Sequence, residues 1–356
     1  MTYRAALIGC GRMGAFIDNE VDDPFPYSHA AGYKACDRTE LVALSDARSE
    51  VLAKAGHYYD VSANHQYVDY VEMLRQEQPH IVSVATQPEE RAKIVVTACE
   101  LGAKAIYGEK PMAASLADAK QMVATMEENN VYFNMGTNRR WNSGYDQMCD
   151  IVRSGKIGLL KTLIVHNNST LFNTASHTFD LLSRLNEDCP VAWVQSFLGS
   201  PTPEIQEDKL LSDPEGQGML YFENGVVAYA LDSGRGLEIE AICEGGTVTA
   251  VGSDHDWVVR EFKGTNFRGS QMLVPGTSPR FERNSSTVNL ILDLVNSLDT
   301  GLPPRGGARH SYANTELIFA MIKSRLAGGT RVALPLHNYP LRLERVHSPR
   351  PPKYKR

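Results

Sequence analysis

The chain has 356 residues, of which 42% are hydrophobic and 22% are charged. At roughly 150 residues per domain this length favours two domains, and the composition excludes a wholly disordered or a collagen-like chain. The 36 Lys and Arg against 42 Asp and Glu give a formal net charge of −6, which argues against a nucleic-acid partner because such proteins carry basic surfaces.

The first third of the chain alternates short apolar strands with helical patterns. Strands are predicted at residues 4–8, 41–46, 81–85, around 105–107 and at 131–135. A helix over 89–101 is predicted to end before Gly102, and Ser115 is predicted to cap the next helix. This alternation predicts an α/β fold, with a doubly wound parallel sheet of the Rossmann type over residues 1–136.

The rest of the chain has a different pattern. Helices are predicted near residues 145–154, 286–299 and 309–327. Two hairpins are predicted, one over 217–231 with a type I′ turn at Asn224-Gly225 and one over 237–251 that turns at Gly245-Gly246. Residues 137–356 are therefore predicted to form an α+β domain with a large, mainly antiparallel open sheet and its helices on one side.

The sequence carries no signal for a membrane or a metal. No apolar run reaches the roughly 18 residues that a bilayer span requires, and the N-terminus lacks a secretory layout. The six cysteines are scattered without a CxxC pair, so we expect no metal site, no disulfide and a cytoplasmic location. The basic residues near the C-terminus are expected to form a solvated tail: Arg350, Lys353, Lys355 and Arg356.

A glycine-rich loop, Gly9-Cys10-Gly11-Arg12-Met13-Gly14, follows the first strand and is predicted to open a helix. This is the G-x-G-x-x-G spacing of a dinucleotide-binding turn in the required context. The first glycine permits a tight turn, the second lets the backbone approach a pyrophosphate, and the third lets strand and helix pack closely. The N–H groups at a helix N-terminus also attract phosphate. The alternative is a glycine-rich turn without a ligand.

Asp46 closes the second strand, where the residue that reads the cofactor ribose is expected. It lies 46 − 14 = 32 residues beyond Gly14, whereas about 20 is usual. We assign the excess to a polar insertion, residues 18–29, that loops out. A carboxylate accepts hydrogen bonds from a ribose hydroxyl and repels a 2′-phosphate, which favours NAD over NADP. Arg48, two residues later, reduces that preference because a cation attracts a 2′-phosphate.

Together with Glu109-Lys110-Pro111 after the fourth strand, these motifs resemble the glucose–fructose oxidoreductase, inositol dehydrogenase and rhizopine-catabolism protein family (Gfo/Idh/MocA). The likeness covers nearly the whole chain. It includes Thr86-Gln87-Pro88, Asn138-Arg139-Arg140-Trp141, Ser154-Gly155-Lys156-Ile157-Gly158, the helix of residues 177–185 and Val332-Ala333-Leu334-Pro335-Leu336. The resemblance implies two domains, a bound nicotinamide cofactor, and redox chemistry on a hydroxyl of a sugar or cyclitol.

The resemblance also implies two catalytic residues, Lys110 and His177. A lysine after a parallel strand points into the ligand crevice, where it donates hydrogen bonds to a substrate oxygen. His177 is the candidate base, because imidazole titrates near pH 6.5. The family's usual aspartate is replaced here by Asn173, which then orients the substrate or Lys110. Asp180, one turn after His177, either tunes the imidazole at the substrate site or is a helix-surface or capping residue.

The remaining site predictions concern cofactor contacts and arginines. The resemblance implies cofactor contacts from the glycine loop, with Arg12 and Met13, and from seven further residues: Asp46, Thr86-Gln87-Pro88, Arg91, Glu109 and Lys110. Relatives often have histidine where Arg91 stands, and we expect Arg91 to contact the cofactor or its helix. Arg139 or Arg140 is expected to reach the substrate or to form salt bridges between domains. His29 either borders the cleft or begins a helix.

Three functions follow, in order of preference. The first is an NAD-dependent dehydrogenase that oxidises, or reversibly reduces, a ring hydroxyl of a sugar, glycoside or cyclitol, with His177 taking the proton and Lys110 bonding the developing alkoxide. The second is a redox-neutral enzyme that uses NAD transiently to cleave a glycosidic bond through a keto-sugar. The third is a dinucleotide-binding sensor without catalysis.

The predicted C-terminal sheet also implies self-association. If its helices cover one side only, strands such as 162–165 and 226–228 leave an apolar face bare. A face of that size usually marks an interface. We therefore expect a homodimer or homotetramer.

Overall fold

A computed structural model describes residues 1–166, 169–197, 203–253, 255–278, 280–345 and 351–354. These residues divide into two units. The first consists of Met1–Trp141, Asn284–Thr315 and Arg342–Arg356, and the second consists of Asn142–Arg283 and Glu316–Leu341. This division differs from the single predicted boundary after residue 136, because two later segments of the chain return to the first unit.

The first unit contains a six-stranded sheet in which all strands run parallel, in the order β3-β2-β1-β4-β5-β6. The strands are β1 (Tyr3–Ile8), β2 (Thr39–Ser45), β3 (Gln66–Tyr67), β4 (Ile81–Val84), β5 (Ala105–Gly108) and β6 (Tyr132–Met135). Strand β1 is almost wholly buried, as expected of a parallel strand covered on both faces. The predicted doubly wound sheet is confirmed. Its order reverses between β1 and β4, where such sheets bind ligands.

Five helices accompany this sheet: α1 (His29–Ala35), α2 (Ser49–Tyr59), α3 (Tyr70–Glu77), α4 (Pro88–Glu100) and α5 (Leu116–Glu128). The predicted C-terminal end of α4 and the predicted N-terminal cap of α5 are confirmed. Gly102 follows α4 with φ of 95°, a conformation that glycine adopts without strain. The Ser115 hydroxyl accepts a hydrogen bond from the Asp118 N–H, 3.0 Å away, and so caps α5.

The glycine loop does not open an α-helix, contrary to the prediction. A single π turn, Arg12–Phe16, follows it, then a 3₁₀ turn, Ile17–Asn19. Helix α1 begins only at His29. The insertion between them loops out as predicted, and its Pro24 and Pro26 explain the missing helix, since proline lacks the N–H that an α-helix requires.

The second unit contains a nine-stranded sheet with the order β16-β15-β14-β13-β7-β12-β11-β8-β17. The strands of this unit are β7 (Leu160–Val165), β8 (Val191–Phe197), β9 (Ile205–Gln206), β10 (Lys209–Leu210), β11 (Gln217–Phe222), β12 (Val227–Ala230), β13 (Ile239–Cys243), β14 (Gly246–Val251), β15 (Asp256–Thr265), β16 (Gln271–Pro275) and β17 (Val332–Ala333). Strands β9 and β10 pair antiparallel with each other and lie outside the nine-stranded sheet. Neighbours β7 and β12 are parallel, and the other neighbours are antiparallel. The predicted large, mainly antiparallel sheet is confirmed.

Both predicted hairpins are present, but their turns differ from the prediction. In the first, Gly225 has φ of 87° while Asn224 is not left-handed. The turn is therefore type I closed by a left-handed glycine, not type I′. In the second, Cys243 pairs with Gly246, so the turn is Glu244-Gly245, one residue earlier than predicted.

Two helices of the second unit precede β8: α6 (Ser143–Arg153) and α7 (Ser176–Leu185). The two predicted C-terminal helices are confirmed as α8 (Ser286–Thr300) and α9 (Ala308–Leu326). Helix α8 packs into the first unit, in the same buried cluster as Leu7 and Tyr107: its contributions are Leu290, Ile291, Leu294 and Val295. This packing is why the segment of residues 284–315 belongs to the first unit. None of the described helices is both long and apolar enough to cross a membrane.

The C-terminal end departs from the predicted solvated tail. A short strand, β18 (Arg342–Leu343), returns to the first unit, where the Leu343 N–H donates to the Ala114 carbonyl at 2.7 Å. Further on, Pro352 is buried and Tyr354 is half-buried, although Lys353 is exposed. The other basic positions of the predicted tail lie outside the described residues: Arg350, Lys355 and Arg356.

Candidate active site

Three loops of the first unit meet at the carboxyl edge of its sheet. Strand β1 runs into the glycine loop of residues 9–14, β4 into Thr86-Gln87-Pro88, and β5 into Glu109-Lys110-Pro111. Since β1 pairs with β4 and β4 pairs with β5, all in parallel, these loops lie side by side where the strand order reverses. Thr86 is half-buried and Gln87 exposed, whereas Pro88 is buried as the first residue of α4.

The three glycines of the first loop differ in whether the surrounding structure would tolerate a side chain. Gly9 has φ of 94°, and a Cβ there would lie 2.8 Å from the Ala85 carbonyl oxygen. A Cβ on Gly14 would lie 1.9 Å from the Gly9 carbonyl oxygen, so only glycine fits. A Cβ on Gly11 would meet just the Arg48 side chain, at 3.3 Å. Gly9 and Gly14 are thus required by the fold, and Gly11 keeps the loop surface open.

The π turn after this loop is a weak dipole, because a single turn aligns few peptide units. The dipole at this loop is therefore smaller than that of an α-helix, and the N–H groups of the loop itself are the main donors available to an anion. The Arg12 side chain is turned toward Glu20, with Nε 2.9 Å from Oε2. Met13 is half-buried. A cofactor contact from Arg12 or Met13 would thus be made chiefly by the backbone.

Asp46 lies at the end of β2, buried beside the glycine loop. Its Oδ2 accepts the Cys10 N–H at 2.9 Å, which ties the loop to β2. Both carboxylate oxygens also accept from Arg48: Oδ1 from the backbone N–H at 2.9 Å and Nε at 3.0 Å, and Oδ2 from Nη2 at 3.1 Å. A carboxylate has about four acceptor positions, so these four donors nearly saturate Asp46.

Glu109 is buried against His29, a contact that the sequence did not predict. His29 Nε2 lies 3.1 Å from Glu109 Oε1, and His29 Nδ1 lies 2.7 Å from the Ser83 hydroxyl. Glu109 Oε2 accepts the Lys110 N–H at 3.1 Å. Burial alone would raise the pKa of Glu109, but the hydrogen bond from His29 and the nearby charges hold that pKa below its ordinary value. The ionised carboxylate thereby fixes the backbone at Lys110.

Arg91 links two of the loops at this edge of the sheet. Its side chain is fully buried in α4, and the guanidinium donates hydrogen bonds to the carbonyls of Thr86 and Pro111. Burial lowers the pKa of Arg91 to about 10, so it stays protonated at neutral pH. Arg91 therefore ties the loops after β4 and β5 together and has no exposed surface to offer a cofactor.

In the second unit, His177 is the second residue of α7 and is half-buried. Asn173 precedes it in a π turn, Leu171–Ala175, and is exposed. The Asp213 carboxylate accepts the N–H groups of Phe172 at 2.8 Å and Asn173 at 2.9 Å. Asp213, which the sequence did not single out, therefore holds the turn that leads into the His177 helix.

The other predicted substrate residues are mostly buried. Asp180 is 1% exposed, so it is not the helix-surface residue that was one of the alternatives. Arg140 is also 1% exposed, and its guanidinium bonds the Arg305 carbonyl at 3.2 Å and His310 Nε2 at 2.5 Å, all within the first unit. Arg139 is half-buried. Of the two arginines, only Arg139 has an accessible side chain.

The described residues contain no group of three His, Cys, Asp or Glu side chains placed to hold a metal ion.

Two contacts in the site carried only weak signals in the sequence. They are the contact of His29 with Glu109 and the contact of Asp213 with the turn that contains Asn173. Ser28 before His29 is a typical N-cap, which marked a helix start and nothing about Glu109. Asp213 lies in a loop with no pattern around it.

Comparisons with known proteins agree with this architecture. Residues 3–137 match the sequence model of the Gfo/Idh/MocA oxidoreductase family, described as an NAD-binding Rossmann fold. A D-apiose dehydrogenase of Paraburkholderia graminis is 34% identical over 156 residues, which cover 44% of this chain and 38% of the relative. An inositol 2-dehydrogenase of Salmonella typhimurium is 26% identical over 203 residues, covering 53% and 56%. The chain thus spans about two-fifths to just over half of these relatives.

Solved structures share the fold over nearly the whole chain. The aldose-aldose oxidoreductase of Caulobacter crescentus has a TM-score of 0.74 at 17% identity, covering 94% of this chain and 100% of that one. A levoglucosan dehydrogenase solved with NADH has a TM-score of 0.74 at 18% identity, with the same coverage. At such identities the comparison establishes the two-part architecture and not the substrate.

Proposed function

Because residues 3–137 match the NAD-binding Rossmann fold of the Gfo/Idh/MocA oxidoreductases, we propose that the protein is an NAD-dependent dehydrogenase acting on a ring hydroxyl of a sugar, glycoside or cyclitol. The observation that carries the proposal is the glycine loop at the reversal point of the sheet, held to Asp46 through the Cys10 N–H. The names of the D-apiose and inositol dehydrogenases support the substrate class.

The residues of the first unit fit a dinucleotide. Gly11 carries no side chain where the loop faces outward, so a pyrophosphate can approach its backbone. Asp46, Thr86, Gln87 and the Glu109-Lys110 backbone lie at the same edge of the sheet. When bound, the nicotinamide supplies the hydride acceptor for an alcohol carbon. We assign NAD over NADP because the Asp46 carboxylate disfavours a 2′-phosphate, although the paired Arg48 reduces that effect.

The proposed proton chemistry is carried over from the family to Lys110 and His177. His177 accepts the proton of the reacting hydroxyl, because only an alkoxide is a good hydride donor. The Lys110 ammonium hydrogen-bonds the same oxygen and stabilises its developing charge. Asn173 binds a substrate oxygen through its amide, and its exposure supports that role. Arg139 is the further substrate contact, whereas the burial of Asp180 and Arg140 argues against theirs.

The test is a panel of aldoses, glycosides and cyclitols with NAD and NADP, followed by absorbance at 340 nm. We expect NADH to form with at least one ring alcohol, and faster than NADPH does. If NADH binds tightly but no compound is oxidised, the protein is a dinucleotide-binding sensor and the proposal is wrong.

The replacement of the usual aspartate by Asn173 favours one second candidate, the redox-neutral cleavage of a glycoside. An amide takes up no proton at neutral pH, so the proton path differs from that of a plain dehydrogenase. This candidate predicts that a glycoside is consumed without stoichiometric NADH. Equal amounts of NADH and oxidised sugar would exclude it.

We also propose that the second sheet mediates a homodimer or homotetramer. Its strands bury alternate residues, and the other face keeps half-exposed apolar side chains on neighbouring strands: Ile164, Trp193, Met219, Tyr221, Val227 and Tyr229. A monomeric mass in light scattering at micromolar concentration would contradict this.

The six free cysteines favour a reducing, cytoplasmic location.

A further inference from the structure

The C-terminal segment, residues 351–354, packs beside the glycine loop. The Tyr354 ring meets the Phe16 ring edge-on, with centroids 4.8 Å apart and planes at 81°. Phe16 is the last residue of the π turn that follows the glycine loop, and it is fully buried. Tyr354 thus extends the buried cluster that lies directly behind this loop.

Two further contacts hold the segment. The Asn19 side-chain amide donates to the Lys353 carbonyl at 2.9 Å, and the Lys54 ammonium lies 4.0 Å from the centre of the Tyr354 ring. A cation at this distance over an aromatic face is attracted to it. Asn19 follows the π turn, whereas Lys54 lies in α2. The segment therefore bridges the element after β1 and the helix after β2.

These are the two elements that frame the adenosine half of a Rossmann dinucleotide site. Arg48, which directly precedes α2, reaches back over Gly11 while paired with Asp46. Burial raises the pKa of the Tyr354 hydroxyl, the charge of Arg48 opposes the rise, and the charges of Glu50 and Asp46 add to it.

We infer that the C-terminal segment supports the adenosine side of the dinucleotide site, with Tyr354 fixing the turn after the glycine loop against α2 and so slowing cofactor release. The inference rests on the proposed function, in which the glycine loop and Asp46 bind NAD. Charge supports it: Lys353, the one charged residue of the segment, is an exposed cation, as suits a ligand with two phosphates.

The test compares Tyr354→Ala with the wild type in the binding of three ligands. NADH contains both halves of the cofactor, ADP-ribose contains the adenosine half, and nicotinamide mononucleotide contains the other half. We expect NADH and ADP-ribose to bind roughly 3- to 10-fold more weakly, NADH to dissociate correspondingly faster in stopped-flow fluorescence, and nicotinamide mononucleotide to bind as before. Tyr354→Phe should keep most of the affinity.

The chain offers a matched control. Tyr339, in the second unit, also lies edge-on to a phenylalanine, Phe319 at 6.3 Å, and under a lysine, Lys323 at 5.7 Å. Tyr339→Ala removes a similar ring and should leave the binding of all three ligands unchanged. Asn19→Ala is a second, milder variant that loosens the segment without opening the core, and it should speed NADH release in the same direction as Tyr354→Ala.

The outcomes separate the inference from the proposed function. If Tyr354→Ala and Asn19→Ala bind NADH and ADP-ribose as the wild type does, the segment has no part in the site and the inference is overturned. Equal losses for ADP-ribose and nicotinamide mononucleotide would also overturn it, because they would show a general loss of structure. If the wild type binds neither NADH nor NADPH, the proposed function itself is wrong.

Discussion

His29 and Glu109 form a buried pair, with Nε2 of the histidine 3.1 Å from Oε1 of the glutamate. A carboxylate only accepts, so the Nε2 proton is donated to Glu109 and Nδ1 faces the Ser83 hydroxyl. The His29 ring also stacks on Tyr107, with centroids 3.7 Å apart. The pair therefore joins the end of the insertion to the loop that carries Lys110.

We expect His29→Ala to lower the free energy of unfolding by about 2–4 kcal/mol, because it leaves a cavity and a buried carboxylate without its donor. Urea denaturation measures the change. His57, exposed on α2, is the control, and His57→Ala should change stability by less than about 0.5 kcal/mol. Equal effects of the two substitutions would contradict the structural role of His29.

The lowered pKa of Glu109 predicts a dependence of stability on pH. A carboxyl whose pKa is lowered by folding stabilises the folded state above its ordinary value of 4.5, and that stabilisation is lost as the pH falls through the lowered value. The difference in unfolding free energy between the wild type and Glu109→Gln should therefore be largest near neutral pH. It should shrink below about pH 4.5. A difference that stays constant down to pH 3 would show that the charge of Glu109 contributes nothing.

Gly11 and Gly14 should differ when each is replaced by alanine. Gly14→Ala places a methyl group against the Gly9 carbonyl and should lower stability by about 3 kcal/mol. Gly11→Ala meets only the flexible end of Arg48, so stability should change by less than about 1 kcal/mol, while NADH affinity falls by about tenfold or more. Thermal unfolding and fluorescence titration separate the two effects. Unchanged NADH affinity in Gly11→Ala would remove this loop from the cofactor site.

The Asp46–Arg48 pair should determine the choice of cofactor. Asp46→Ala should weaken NAD binding by about 1–3 kcal/mol, the scale of a lost hydrogen bond to a charged group, if the ribose hydroxyl takes the place of one Arg48 donor on this carboxylate. It also frees the Arg48 guanidinium, so NADP binding should change less or improve. The dissociation constants of both cofactors, measured for Asp46→Ala and for Arg48→Ala, check this. Equal losses for both cofactors in Asp46→Ala would show that its carboxylate does not read the ribose.

Lys110 and His177 should differ in their response to pH. His177→Ala should lower the single-turnover rate by about 10²- to 10⁴-fold with NAD affinity nearly intact, and alkaline pH should recover part of the loss. Lys110→Met should slow the same step without alkaline recovery, because a fixed charge is lost. Asn173→Asp should raise KM if the amide donates to a substrate oxygen. Near-full single-turnover rates in His177→Ala would mean that another residue is the base.

How much the sequence could predict depended on whether the signal was local. Helix α5 was predicted because its cap, Ser115, and its apolar stripe lie within one segment. Helices α2 and α3 were not predicted, and the two-residue strand β3 is too short to show a pattern. The turn at Gly225 was placed correctly but given the wrong type, since Asn-Gly is compatible with both.

Contacts between distant segments left no signal. His29 and Glu109 are 80 residues apart, and neither flanking sequence indicates the other. Arg91 is expected from the sequence to contact the cofactor or its helix, but the sequence gives no sign that its buried guanidinium donates to the carbonyls of Thr86 and Pro111. Helix α8 was predicted correctly, but its amphipathic pattern shows only that one face is buried and not which unit buries it.

The position of α8 has a consequence for synthesis on the ribosome. Leu290, Ile291 and Leu294 fill the same cluster as Leu7 and Tyr107, so the Rossmann sheet cannot close its core when residue 136 has emerged. N-terminal domains usually fold first during translation. Here the nascent sheet must wait until the chain has passed residue 300, with every strand of the second sheet except β17 made in between. The apolar surface that α8 later covers is open throughout that interval, which makes the nascent chain a substrate for chaperones that bind exposed apolar segments.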